Sequence, residues 1–171
     1  MPRPDLAKIP EWYHRYIQQV EGNDLMVAMK KQTPAIFRFL NSVPRVKRDY
    51  RYGKGKWTIK EVLQHIIDAE RVFAYRALCI ARKEAVSLPG FDENDYADNS
   101  KANKRDWADL IEELKAVRRS TEILFASFDK AQTATVGIAN NNPVSVLAIG
   151  FIMVGHINHH IKVTKERYLA H

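Results

Sequence analysis

The chain has 171 residues, 46% of them apolar and 27% charged, with a formal net charge of +7 at neutral pH and only seven glycines and seven prolines. That composition excludes a disordered or fibrous chain, and the length suits one domain, residues 1–171, with a sizeable core. A single cysteine, Cys79, excludes an internal disulfide and any cysteine-rich zinc cluster. The start, Met1-Pro2-Arg3-Pro4-Asp5, lacks the apolar run of a signal peptide, and the most apolar stretch, residues 143–157, is short for a membrane span. The expectation is a cytoplasmic protein with no membrane partner.

In chain order, the first predicted element is a short helix over residues 10–20, stopped near Gly22-Asn23. Asp24 can cap a second helix that carries Leu25, Met26, Ala28, Met29, Ile36, Phe37 and Leu40, with Pro34 as a point of kinking and Val43-Pro44 as its end. A basic stretch follows: Arg45, Lys47, Arg48, Arg51, Lys54, Lys56 and Lys60, interleaved with Tyr50, Tyr52 and Trp57. Such a pattern can bind phosphates or nucleic acid. Gly53 and Gly55 break it and no nucleic-acid motif follows, so a solvated loop is the reading and nucleic acid is not an expected partner.

Thr58-Ile59-Lys60-Glu61 fits the capping box, in which the Thr side chain and the Glu three residues later satisfy each other's backbone donors. The helix it opens extends to about Arg82 and carries Val62, His65, Ala69, Val72, Cys79 and Ile80 on one broad face. A turn-rich, acidic and aromatic loop spans Leu88 to Tyr96. A third long helix is predicted over residues 104–128, with Trp107, Leu110, Ile111, Leu114, Val117, Thr121, Leu124 and Phe125 on its apolar side. The fourth starts at Asn142-Pro143, an N-cap residue followed by the proline favoured at the first helical position, and runs to about Leu169. No segment alternates convincingly as a strand bounded by hairpin turns. The fold class is therefore all-α: a four-helix bundle with a short N-terminal helix.

The residues that carry chemistry are histidines. Gly155-His156-Ile157-Asn158-His159-His160 holds three of the chain's six within five residues. At about 100° per residue, His156 and His160 lie only about 40° apart around the helix and about 6 Å apart along it, so both imidazoles can reach one ion. Ile149, Ile152 and Val163 fall on the same side, which points the pair into the core. His65 is also inward. In a bundle, ligand sites are built from inward side chains on facing helices, so His65, His156 and His160 form a candidate three-nitrogen set that leaves positions open for water or substrate. All-imidazole ligation suits zinc first and nickel second, with copper and iron(II) also compatible. His159 turns toward Lys162 and Glu166 and reads as a boundary residue. Asp68 and Glu61, each one turn from His65, are candidates to hold its second ring nitrogen; Glu61 is already claimed by the capping box, which leaves Asp68. Tyr75, Arg76 and the Asp92-Glu93-Asp95 cluster are candidates for substrate contact, Cys79 reads as a small hydrophobe, and no role is assigned to His14 or His171.

The stretch from Trp57 through His65 to Asp68, the Leu88-Pro89-Gly90-Phe91 loop, and Gly155-His156 through His160 with Lys165-Glu166-Arg167-Tyr168-Leu169 resemble the DinB/YfiT-like superfamily. The resemblance runs from about Pro10 to Leu169. It implies a four-helix bundle, often a homodimer, that binds a divalent metal through three histidines, here His65, His156 and His160. It also implies thiol S-transferases and a thiol-dependent isomerase among characterised relatives. The expected function is thus a metal-dependent transferase of thiol type or a hydrolase, in which the metal activates a low-molecular-weight thiol or a water against a small-molecule substrate. The alternative is a non-enzymatic, stress-related metal-binding module.

Overall fold

The structure, a computed structural model, describes residues 1–170; His171 lies outside them. Residues Leu6–Lys8 and Glu11–Tyr13 form 3-10 turns, and the second runs into a single α-turn, α1 (His14–Ile17). The predicted helix over 10–20 is therefore present only as this tight, mixed segment.

Helix α2 (Leu25–Ser42) opens at Asp24, whose side chain accepts from the Val27 N–H at 3.0 Å and also pairs with the N-terminal ammonium. Leu25, Ala28, Met29, Gln32, Ile36 and Leu40 form its buried stripe. Pro34 is accommodated within the helix on its exposed side. Helix α3 (Ile59–Ala81) opens with the capping box read from the sequence: the Glu61 N–H donates to Thr58 Oγ1 at 3.1 Å and the Thr58 N–H to Glu61 Oε2 at 2.8 Å.

The loop expected after α3 contains a further short helix, α4 (Glu93–Asn99), capped by Asp92, and a 3-10 turn at Ala102–Lys104. Helix α5 (Trp107–Ala126) consequently starts later than the predicted Lys104, and α6 (Lys130–Ala134) follows behind the capping box of Asp129 and Gln132.

The largest correction lies between residues 136 and 145. Strands β1 (Val136–Ala139) and β2 (Asn142–Ser145) form an antiparallel hairpin in which Ala139 pairs with Asn142 and Ile138 with Pro143. Its two turn residues, Asn140 and Asn141, both have positive φ (50° and 61°), the combination that matches the twist of a two-residue hairpin. Leu88 adds to this hairpin, donating to the Ile138 carbonyl and accepting from the Asn140 N–H. Asn142-Pro143 is thus strand rather than helix start. Helix α7 (Val146–Val163) begins at Ser145, whose hydroxyl accepts from the Ala148 N–H at 3.1 Å, and a π-helical turn (Thr164–Leu169) extends it.

Helices α2 and α3 each pack against both α5 and α7, so the four long helices close into a bundle. Helix α7 is buried almost all round from Val146 to Ile157. Residues 146–169 are long and apolar enough to cross a membrane, yet 61% of the most apolar 18-residue window there is buried inside the bundle, as suits a central core helix.

Candidate metal centre

His65 projects from the second turn of α3, and His156 and His160 from adjacent turns of α7, the two helices in most extensive contact. Their Nε2 atoms converge: His65 to His156 at 3.0 Å and His156 to His160 at 3.0 Å. The three residues form a cluster whose potential ligand atoms all lie within 4.8 Å of one another. His65 and His156 are 8% and 6% exposed, and His160, half-buried, is the least enclosed of the three.

Burial sets their protonation. Desolvation, with a smaller contribution from His159, lowers His65 to about 4. Burial first and the neighbouring rings second push His156 and His160 well below the usual histidine range. At neutral pH the site therefore presents neutral imidazoles, the form that ligates metals. Ring nitrogens sharing one ion at about 2.0–2.1 Å stand roughly 3 Å apart, the spacing of the His65–His156 and His156–His160 pairs. Lone pairs brought this close repel unless a proton or a cation lies between them. The donor set fits a divalent transition ion.

Aromatic rings wall the cluster. Trp57 lies 4.8 Å from His65, centroid to centroid, and its carbonyl accepts a 2.8 Å hydrogen bond from Tyr168 of the π-turn. Phe73 meets His156 edge-on at 5.9 Å. Tyr16, on α1, contacts both His156 and His159 edge-on at 5.5 Å, and the Arg15 guanidinium stacks over the Tyr16 ring and donates to its hydroxyl at 2.8 Å. Arg15 is exposed and close enough for its charge to lower all three histidines of α7. No carboxylate pairs with it among the described residues.

The other sequence candidates fall elsewhere. His159 stands outside the converging trio, with its ring 5.1 Å from that of His160 and against Tyr16; partial burial, then the Arg15 charge, lower its pKa. Asp68 accepts from Gln64 at 2.9 Å and lies 4.0 Å from Arg71, and among the described residues no hydrogen bond joins it to a ring nitrogen. The His65 Nδ1 is buried without a partner. Glu61 is committed to the capping box and to Arg51 and Asn103. Tyr75 is exposed, Arg76 is buried and donates to the Pro89 carbonyl, and the acids of α4 are solvated; no contact links any of them to His65, His156 or His160. Cys79 is half-buried against the core. His14 is used locally, its ring bonded to the carbonyls of Leu6 and Ile9.

Trp57, Tyr16, Phe73 and Arg15 escape sequence reasoning. The one local signal is Gly155, directly before His156, where a Cβ would lie 1.9 Å from the Tyr16 carbonyl oxygen. A glycine on a buried helix face marks a close approach of another backbone, here that of α1.

A bundle that brings three neutral histidines from two facing helices to one point defines a protein of the metal-site helical-bundle class. The family model of the DinB superfamily matches residues 28–163, and the chain belongs to that superfamily. Among solved structures, YfiT from Bacillus subtilis, described as a probable metal-dependent hydrolase with an unusual four-helix bundle topology, is similar with a TM-score of 0.68 and 16% sequence identity over 96% of this chain and 91% of that one. At that identity the likeness shows the shared bundle fold. No curated protein matches the sequence.

Proposed function

We propose that the chain is a metal-dependent hydrolase whose ligands are His65, His156 and His160, with zinc as the first choice of ion and nickel as the second. The convergence of three neutral ring nitrogens on one point carries this reading, and the description of YfiT supports the hydrolytic class. A divalent ion held there supplies Lewis acidity that brings the pKa of a bound water or thiol toward neutrality.

The chain's own residues supply the rest. Trp57 and Phe73 exclude water from the closed side and hold the His65 and His156 rings in place. The half-buried His160 side admits a small-molecule substrate. His159, neutral at pH 7, is placed to accept a proton there. A second reading, transfer of a low-molecular-weight thiol, is favoured by Arg15, whose exposed guanidinium beside Tyr16, with no carboxylate partner among the described residues, suits an acidic thiol. A homodimer is part of the same proposal, checked by light scattering.

Metal analysis tests the foundation. The purified wild type is expected to carry about one transition ion per protomer, and His156→Ala to lose it. A wild type that stays metal-free after loading with zinc and nickel overturns the proposal. Hydrolysis of esters or amides without added thiol selects the first reading, turnover of electrophiles only with thiol selects the second, and a loaded protein inert in both assays leaves the metal-binding module.

A further inference from the structure

At the metal centre, His65 has no outer hydrogen bond. Its Nε2 faces His156 at 3.0 Å, so Nδ1 is the nitrogen left to meet an acceptor, and it is buried with no partner among the described residues. A ligating histidine ordinarily hands that second N–H to a carboxylate or carbonyl, which fixes the orientation of the ring. Packing takes over this task at His65. Besides the other two histidines, the one ring against it among the described residues is Trp57, tilted at 45° and 4.8 Å away, centroid to centroid.

Trp57 is itself held through its backbone. The peptide group that joins it to Thr58 is planar and includes the Trp57 Cα, so fixing its C=O and N–H restricts how that Cα can move. Both are fixed at 2.8 Å: the carbonyl accepts from the Tyr168 hydroxyl, and the N–H donates to Glu61 Oε2. Glu61 stands one turn before His65 on α3, and Tyr168 follows His160 by about two turns, in the π-turn that extends α7. One peptide group thus ties the two ligand-bearing helices together beside the centre. Tyr168 suits this task. It is 2% exposed, Tyr50 and Tyr52 meet its ring edge-on, and burial raises its pKa, so the hydroxyl stays protonated and able to donate.

We infer that Tyr168 is a positioning residue of the metal centre: its hydroxyl holds the Trp57–Thr58 peptide, and the Trp57 ring in turn holds His65 where it can share an ion with His156 and His160. The inference rests on the three-histidine reading above and adds to it the outer support that His65 lacks. It also gives the π-turn a purpose, in keeping with the recurrence of such turns at functional sites.

Tyr168→Phe in the full chain tests this, because it keeps the ring and removes only the hydroxyl. In competition with a chromophoric chelator, zinc should bind the variant about tenfold more weakly than the wild type. The visible absorption bands of the cobalt(II)-loaded chain should change in position and intensity. A hydroxyl that merely stabilised the fold would lower the urea midpoint and leave both metal readouts unmoved. In a Trp57→Ala background, which lacks the ring through which the effect passes, Tyr168→Phe should weaken zinc no further. Should Tyr168→Phe fail to fold, Trp57→Leu, at a half-buried position, carries the test with the same expected loss. In the metal-free chain, Tyr168→Phe should shift the ring nitrogen signals of His65 and leave those of His14, which the Leu6 and Ile9 carbonyls hold, in place. Unchanged zinc affinity, unmoved His65 signals, or a further loss in the Trp57→Ala background overturns the inference. A wild type that binds no zinc ends the metal reading instead, and the His65 signals of the metal-free chain still decide the role of Tyr168.

Discussion

At Gly155 the backbone of α1 crosses α7 so closely that any Cβ would lie 1.9 Å from the Tyr16 carbonyl oxygen and 2.3 Å from its carbonyl carbon. Backbone cannot swing aside as a side-chain tip can. Gly155→Ala should therefore cost about 2–4 kcal/mol of stability in urea denaturation, or displace α1 and with it Tyr16 from the metal centre. Gly150→Ala is the contrast: its Cβ would meet the tips of Leu25 and Phe125, which can repack, and a smaller loss is expected. Equal costs at the two positions would refute the assignment of Gly155 to a backbone contact. The same crossing puts Tyr16 against His156 and His159, which explains why a residue some 140 positions away walls the site.

Helices α3 and α5 are joined by a pair with no counterpart elsewhere in the core: Glu70 and Arg118, both 1% exposed, lie 3.0 Å apart. Their contact lacks good hydrogen-bond geometry, and Arg118 Nε, Nη1 and Nη2 have no hydrogen-bond partner among the described residues. Burial raises the Glu70 pKa and the Arg118 charge opposes it. Breaking such a pair strands a buried charge, whereas replacing both members with apolar residues removes the desolvation cost. Arg118→Met should thus destabilise by about 3–5 kcal/mol, and Glu70→Leu/Arg118→Met should recover most of that loss in thermal or chemical denaturation. A double variant as unstable as the single one would show that the pair contributes through packing alone. In sequence, Arg118 and Glu70 look like ordinary solvated charges, because nothing local distinguishes an inward arginine from an outward one. Element starts show the same division. Thr58-Glu61 and Asp24 were legible because a cap is a bond between near neighbours, whereas the hairpin at 136–145 was hidden by a short, irregular apolar pattern and by Asn142-Pro143, which imitates a helix start.

The whole molecule responds to acid through its buried histidines. The unfolded chain protonates these rings as pH falls through about 6.5, while the fold holds His65 neutral to about 4 and His156 and His160 well below their ordinary range. The folded metal-free protein thus binds fewer protons than the unfolded one in this window. Its stability should be level above about pH 6.5 and fall steadily as pH drops from there toward 4, by on the order of 3 kcal/mol from His65. Urea midpoints of the metal-free protein between pH 7.5 and 5 check this; a flat profile there would refute buried, neutral histidines. His156 and His160 share one side of a helix because of the 3.6-residue repeat, so the sequence alone determined that pair, as it did the amphipathic helices of the bundle and the inward setting of His65. Only the packing of α3 on α7 decided that His65, 91 residues before His156, closes to 3.0 Å, and only the path of α1 and the π-turn brought Tyr16 and Trp57 to the same point. Local spacing is written in backbone geometry; contacts across many residues depend on which faces bury one another.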